Sequence, residues 1–151
     1  MGLFTAFDIS ASGLTAQRYR MDIISENVAN ANTTRTRNGE PYVRKVVYFE
    51  EKGVRGSDSF SSVLGTVTKN YAGKGVKVAR VLEDTETEMN MVYDPSHPDA
   101  DENGYVLYPN VNIITEMTNL IDASRAYEAN ATAFSASKSM AQQGLQIGGQ
   151  Q

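Results

Sequence analysis

The single histidine of this sequence lies among side chains that could take part in catalysis. Ser96 precedes His97, and Asp94 and Asp99 flank the pair, so a hydroxyl, a base and carboxylates are close in sequence. A hydrolase needs its base within about 3 Å of the nucleophile. Adjacent side chains in an extended, proline-flanked segment diverge, so the spacing argues against this chemistry. A small hydrolase centred on His97 is the weakest functional hypothesis.

The same segment matches the first half of a calcium-binding loop. Asp99, Asp101 and Asn103 alternate and Gly104 follows, which gives oxygen ligands at alternate positions and a glycine at the sharp turn. The twelfth position is Asn110, which cannot supply the bidentate carboxylate that closes such a loop. The sequence therefore predicts an ordered turn, stabilised by Asp and Asn side chains that bond nearby backbone N–H groups. A calcium-dependent binding module is the alternative.

Composition narrows the remaining function classes. The net charge of -4 argues against a nucleic-acid partner, since phosphate binding needs a basic face. The one basic cluster is predicted to be solvated surface: Arg35, Arg37, Arg44 and Lys45. No apolar run reaches the roughly 18 residues of a membrane span, so membrane insertion is not expected. The absence of cysteine excludes disulfides and thiolate chemistry, and no cofactor is expected.

A long helix is predicted at each end of the chain. Over residues 3–31, apolar side chains recur at heptad spacing in two rows, which comprise Phe7, Leu14, Met21 and Val28, and Leu3, Ile24 and Ala31. Over residues 112–145, a second seam alternates steps of four and three and is interrupted by Ser124 and Lys138. Its apolar members are Ile113, Met117, Leu120, Tyr127, Ala131, Phe134, Ala141 and Leu145. Asn112 is the predicted N-cap of this helix.

The middle of the chain has the composition of strands and turns. Residues 41–49, 76–82, 89–93 and 105–108 are rich in β-branched and aromatic side chains, and 53–65 is a Gly/Ser-rich flexible loop. The predicted fold class is α+β. It comprises an N-terminal assembly helix (1–34), a small β-rich insert (35–110) and a C-terminal assembly helix (111–151).

Two helices and a small insert bury too little apolar surface to offset the entropy of ordering them. We therefore expect the helices to pack, coiled-coil-like, against other chains. The alternative is a bundle of the two helices within one chain. The predicted assembly interface comprises Leu3, Phe7, Leu14, Met21, Ile24, Val28, Ile113, Met117, Leu120, Tyr127, Phe134 and Leu145.

Both ends of the chain resemble the flagellar rod and hook protein family. The N-terminal match is carried by residues 10–17 (SASGLTAQ) and 21–34 (MDIISENVANANTT). The C-terminal match is carried by 110–112 (NVN), Glu116, Met117 and 123–130 (ASRAYEAN). Residues 92–101 (VYDPSHPDAD) and 104–106 (GYV) are similar to the proximal-rod members of that family.

The resemblance implies a structural protein without catalytic activity. Its expected place is the periplasm-spanning rod of the flagellar basal body, where it would pack helically with copies of itself and with other rod subunits to transmit torque. It also implies passage through the flagellar type III export apparatus without a cleaved signal.

Overall fold

The structure, a computed structural model, describes residues 3–52 and 74–148. The helices and strands are α1 Leu3–Ala29, β1 Lys45–Glu51, β2 Val76–Glu83, β3 Asn90–Tyr93, β4 Tyr105–Tyr108 and α2 Ile113–Gly148. The α+β fold class is confirmed, with a helix at each end and two small sheets between them. The predicted loop at 53–65 and the side chain of Leu3 lie outside the described residues.

The helix ends are set by short polar side chains. Asn112 Oδ1 accepts hydrogen bonds from the N–H groups of Ile114 and Thr115 at 3.0 and 3.2 Å, so its prediction as the N-cap of α2 is confirmed. At the end of α1, Asn30 Nδ2 donates to the carbonyl of Glu26 at 2.9 Å. The backbone N–H of Asn30 donates to the same carbonyl at 3.1 Å, so this carbonyl accepts two hydrogen bonds at the end of α1.

Each sheet has two strands. β1 pairs with β2, and β3 pairs antiparallel with β4 in a register that places Asn90 opposite Tyr108 and Tyr93 opposite Tyr105. Gly104 lies just before β4 with a φ of 79°, a conformation that glycine adopts without a steric penalty. The predicted reversal at Asn103-Gly104 is therefore confirmed. The first strand begins at Lys45, later than predicted from residue 41.

The chain forms two compact units. The first comprises residues 1–17, 49–79 and 125–151, and the second comprises 18–48 and 80–124. In the first unit, the ring centroids of Phe7 and Phe134 lie 5.0 Å apart in an edge-to-face arrangement. In the second unit, Ala31, Tyr42 and Val111 form a small cluster of buried apolar residues. Ile24, Val106 and Ala123 are also buried in this unit.

Candidate assembly surface

The second unit is built around a buried carboxylate, that of Glu116, whose side chain is 1% exposed. Arg44 donates to Glu116 Oε1 from Nε at 2.9 Å and from Nη2 at 2.8 Å. Asn27 Nδ2 donates to the other oxygen, Oε2, at 3.0 Å. Both carboxylate oxygens therefore have partners, which is the condition under which a charge is tolerated in an interior.

Asn27 connects this carboxylate to the rest of the second unit. Its Oδ1 accepts from the hydroxyl of Tyr42 and from the backbone N–H of Lys45, both at 2.9 Å. Its Nδ2 donates to the carbonyl of Lys45 at 2.9 Å as well as to Glu116. The amide is thus fully hydrogen-bonded, and it joins the end of α1 to the start of β1 and to the first turn of α2.

Two further residues hold Arg44 from the other side. Asn110 Oδ1 accepts from the backbone N–H of Arg44 at 2.8 Å, and Asn110 Nδ2 donates to the carbonyl of Asp84 at 2.7 Å. Asp84 Oδ2 pairs with Arg44 Nη1 at 3.2 Å. We call Asn27, Tyr42, Arg44, Asp84, Asn110 and Glu116 the polar centre.

The environment shifts several pKa values in the polar centre. Burial, followed by the charges of Glu26, Glu116 and Glu83, raises the pKa of Tyr42 to about 12. Burial alone would lower the pKa of Arg44, but its hydrogen bonds and charge interactions with Glu116 and Asp84 outweigh that effect and raise it. Hydrogen bonds from Thr87 lower the pKa of Asp84 despite its partial burial. The Arg44 cation is therefore favoured where it lies, between Glu116 and Asp84.

The prediction that Arg44 is solvated surface is wrong. The Arg44 side chain is 23% exposed and bonded to two carboxylates, and Lys45 pairs with Glu26. Arg35 does lie at the surface, where it faces Asp99 at 3.5 Å. Charge counting could not separate these residues, because the carboxylates that bury Arg44 come from positions 40 and 72 residues further along the chain.

On α2, the row of side chains that lies inward falls one residue before every second position of the predicted seam. The inward positions are small or polar: Glu116 (1% exposed), Ala123 (0%) and Ser137 (7%), with Asn130 half-buried. We call Glu116, Ala123, Asn130 and Ser137 the inner row. Of the predicted seam residues, Leu120 and Phe134 are half-buried, whereas Ile113, Tyr127 and Leu145 are exposed.

The opposite face of α2 carries exposed apolar side chains in its first turns. Ile114 (78% exposed), Met117 (55%) and Ile121 (52%) recur at intervals of three and four and so share one face. We call these three residues the outer row. Met117 was a predicted interface residue. Ile114 and Ile121 were missed because they fall outside a seam counted from Ile113, although their apolar type and mutual spacing could have revealed them.

On α1, the predicted rows are divided in a similar way. Ile24 and Ala31 are buried, as are Ser10, Gly13, Ala16 and Asn27, which are small or polar. The other predicted interface residues of α1 are half-buried: Phe7, Leu14, Met21 and Val28. Their contact with other subunits stays a prediction.

The segment around the histidine forms the predicted ordered turn. Asp101 Oδ1 accepts from the backbone N–H groups of Asn103 and Tyr105, both at 2.8 Å. Asp99 Oδ2 accepts from the hydroxyl of Thr34 at 2.8 Å. In residues 3–52 and 74–148, no three His, Asp or Glu side chains come together as a metal site. Asp101 thus holds the turn, the Asp99 carboxylate is bonded to Thr34, and nothing supports the calcium alternative that used Asp99, Asp101 and Asn103.

The groups needed for hydrolysis are bonded elsewhere. The Ser96 hydroxyl donates to Asp94 at 2.6 Å, and Nδ1 of His97 accepts from the backbone N–H of Asp99 at 3.1 Å. The ring of His97 lies 6.2 Å from that of Tyr108.

Within the described part of the chain, neither helix has an apolar stretch long enough to span a membrane.

Two family models match the chain at the segments that form α1 and α2. Residues 7–35 match the flagella basal body rod protein family, and residues 102–147 match the C-terminal family of the flagellar basal body rod FlgEFG proteins. Glu116 and Asn27, which meet in the polar centre, lie one in each matched segment.

Comparison with curated proteins extends the similarity over nearly the whole chain. It is 47% identical to the flagellar basal-body rod protein FlgC of Bacillus subtilis (strain 168), in an alignment that covers 98% of this chain and 99% of that protein. It is 43% identical to FlgC of Borreliella burgdorferi (97% and 98% covered) and 38% identical to FlgC of Salmonella typhimurium (98% and 99% covered). The chain belongs to the flagellar basal-body rod protein family, which places it in the basal-body rod.

Proposed function

We propose that this protein is a structural subunit of the proximal rod, and that it packs helically with copies of itself and with other rod subunits into a shaft that transmits torque. The observation that carries the proposal is the outer row of α2, where three large apolar side chains are exposed on one face. The near full-length similarity to FlgC proteins supports the same conclusion.

The size of the outer row favours a subunit with several neighbours over a simple dimer. Burying a Val, Leu, Ile or Met side chain gains about 1.5 to 3 kcal/mol, and these three are already partly covered, so together they would contribute on the order of 4 kcal/mol. Association costs from about 4 to more than 15 kcal/mol. The outer row alone offsets that cost only at its lowest value, whereas a helical assembly gives each subunit several contacts.

We assign the terminal segments, residues 1–34 and 111–151, to assembly. The other predicted interface residues on these segments have two different environments. Leu145 is 77% exposed and free to meet a neighbour, whereas Phe134 already packs against Phe7 within the subunit. We therefore expect the exposed residues to make most of the contacts with neighbouring subunits.

We propose no catalytic activity for this protein. We also propose that the flagellar type III export apparatus delivers it. Ser96 and His97 are each bonded to groups other than one another, which supports a structural role for the turn. A chain without cysteine cannot form disulfide cross-links in an oxidising compartment, so it stays free to pass unfolded through a channel.

The test is Met117→Asp in a flagellated bacterium whose own rod subunit of this type has been deleted. Because Met117 is 55% exposed, the substitution should leave the subunit folded but place a charge in the contact with a neighbour. We expect loss of swimming in soft agar and loss of rods from isolated basal bodies, with exported subunit still detected. Leu120→Asp and Phe134→Asp are less discriminating, since both side chains are half-buried within the subunit.

The matched control is Gln142→Asp, which adds the same charge at an exposed polar position of the same helix. It should swim normally. Normal rods built from the Met117→Asp protein would refute the assignment of the outer row to assembly.

A further inference from the structure

The sequence of α2 is compatible with two rotations of the helix about its own axis, which bury different faces. The predicted apolar seam would place Met117 inside, whereas the structure places the adjacent residue, Glu116, inside. In an α-helix, adjacent residues point about 100° apart. A rotation of that size would therefore exchange the inner row for a face that contains Met117, and would carry Ala123 towards solvent.

In the first three turns of α2, hydrophobic burial favours the orientation that the structure does not adopt, whereas the half-buried Leu120 and Phe134 favour the observed one. The inner row consists of a carboxylate, an alanine, an amide and a hydroxyl, while Ile114, Met117 and Ile121 face solvent. An interaction other than apolar burial must therefore hold the first turns of α2 in the observed orientation. The polar centre supplies it, because Glu116 accepts hydrogen bonds from Arg44 and Asn27 only in this orientation.

Arg44 is well placed to hold the helix because its own backbone is fixed. Its N–H donates to Asn110 Oδ1 at 2.8 Å, and its carbonyl accepts from the N–H of Asp84 at 2.7 Å. Its guanidinium reaches Glu116 with two nitrogens. A guanidinium bonded in this way specifies direction as well as charge.

We propose that the pairing of Arg44 with Glu116 sets the rotation of α2 and thereby keeps the outer row exposed for neighbouring subunits. Buried polar pairs of this kind can select one arrangement among several that apolar packing permits. The purpose of the exposed row rests on the function proposed above, but the effect of Arg44 on rotation does not. Arg44 is thus a positioning residue, which acts through Glu116.

Rotation is measured by thiol labelling, which the absence of native cysteine makes specific. Ile121→Cys reports the outer row (52% exposed) and Ala123→Cys reports the inner row (0%), each in the full-length isolated chain. With Arg44 present, we expect the outer cysteine to react with a soluble maleimide at least tenfold faster than the inner one.

Arg44→Met leaves the Glu116 carboxylate without its cation. We expect α2 to turn so that the carboxylate reaches water, and the ratio of outer to inner labelling rates to fall at least tenfold. Arg44→Lys keeps the charge but loses the forked geometry, and should lower the ratio at least threefold. The matched control is Arg35→Met, which removes a 70% exposed arginine and should leave the ratio within twofold.

An Arg44→Met protein that keeps its helix content by circular dichroism and an unchanged labelling ratio would overturn the proposal. If the Arg44→Met protein loses its helix content, the Arg44→Lys protein provides the test. An unchanged labelling ratio in the Arg44→Lys protein would also overturn the proposal. Labelling needs no assembly, so this result is separate from the Met117→Asp test. A changed ratio with normal Met117→Asp rods refutes only the proposed use of the outer row.

Discussion

The two compact units hold their parts of α1 and α2 together by different means. In the first unit, Gly13 is buried against Asn130, and the rings of Phe7 and Phe134 meet edge to face. In the second unit, Asn27 and Glu116 are hydrogen-bonded to each other and to Arg44. One contact depends on shape and the other on hydrogen bonds to a buried charge.

This difference determines how each unit should respond to substitution. A close contact through glycine tolerates small adjustments, because the neighbouring atoms belong to the end of a side chain. A buried hydrogen-bonded group tolerates little, since removing one partner leaves the other desolvated and unpaired. We therefore expect the second unit to show the larger losses of stability.

The largest expected effect is that of Asn27→Leu. The substitution approximately conserves volume but leaves the Tyr42 hydroxyl, both backbone groups of Lys45 and one oxygen of Glu116 without their partner. We expect the free energy of unfolding, measured in urea, to fall by about 3 to 5 kcal/mol. Asn32→Leu, at an exposed position, should change it by less than about 0.5 kcal/mol. Equal effects of the two substitutions would show that the hydrogen bonds of Asn27 do not stabilise the second unit.

An intermediate effect is expected from the titration of Tyr42, whose pKa is raised to about 12 by burial and by nearby carboxylates. Above pH 10 the unfolded chain loses this proton first, so the folded state binds more protons and stability falls as pH rises. The contribution is fully present below about pH 10, and some 2 to 3 kcal/mol is lost as pH rises through 12.

Tyr42→Phe removes the titrating group and provides the control for this pH dependence. Lysine titration affects both proteins, so the quantity of interest is the difference between their urea-unfolding stabilities from pH 9 to 12. Parallel curves for the two proteins would show that burial of the hydroxyl does not contribute.

The smallest expected effect belongs to the first unit. A Cβ at Gly13 would lie 2.6 Å from Asn130 Oδ1, so Gly13→Ala must displace an amide whose Nδ2 donates to the carbonyl of Ala126 at 2.8 Å. This cost opposes a gain in helix propensity of about 1 kcal/mol. We expect a slight net loss in the native background and a gain of about 1 kcal/mol when Asn130 is also alanine.

Gly144→Ala is the matched control, because nothing lies within 4 Å of a Cβ added there. It should raise the free energy of unfolding by up to about 1 kcal/mol in either background. If Gly13→Ala stabilises the chain equally with and without Asn130, the close contact has no energetic weight.

Much of the secondary structure could be predicted because it depends on local patterns. Apolar side chains at helical spacing predicted both helices, and the short polar side chain of Asn112 predicted where α2 begins. Asn103-Gly104 predicted the reversal into β4, where Gly104 adopts a positive φ. The motifs at both ends predicted the family, which the similarity to FlgC proteins confirms.

The rotation of α2 and the partners of Arg44 could not be predicted in this way. Met117 and Glu116 are adjacent, and an apolar pattern favours burial of the methionine. The buried residue is the glutamate, because Asn27 and Arg44 meet it from 89 and 72 positions away. Periodicity reports which side chains share a face of a helix, but the direction that face takes depends on hydrogen-bond partners that only the folded chain brings together.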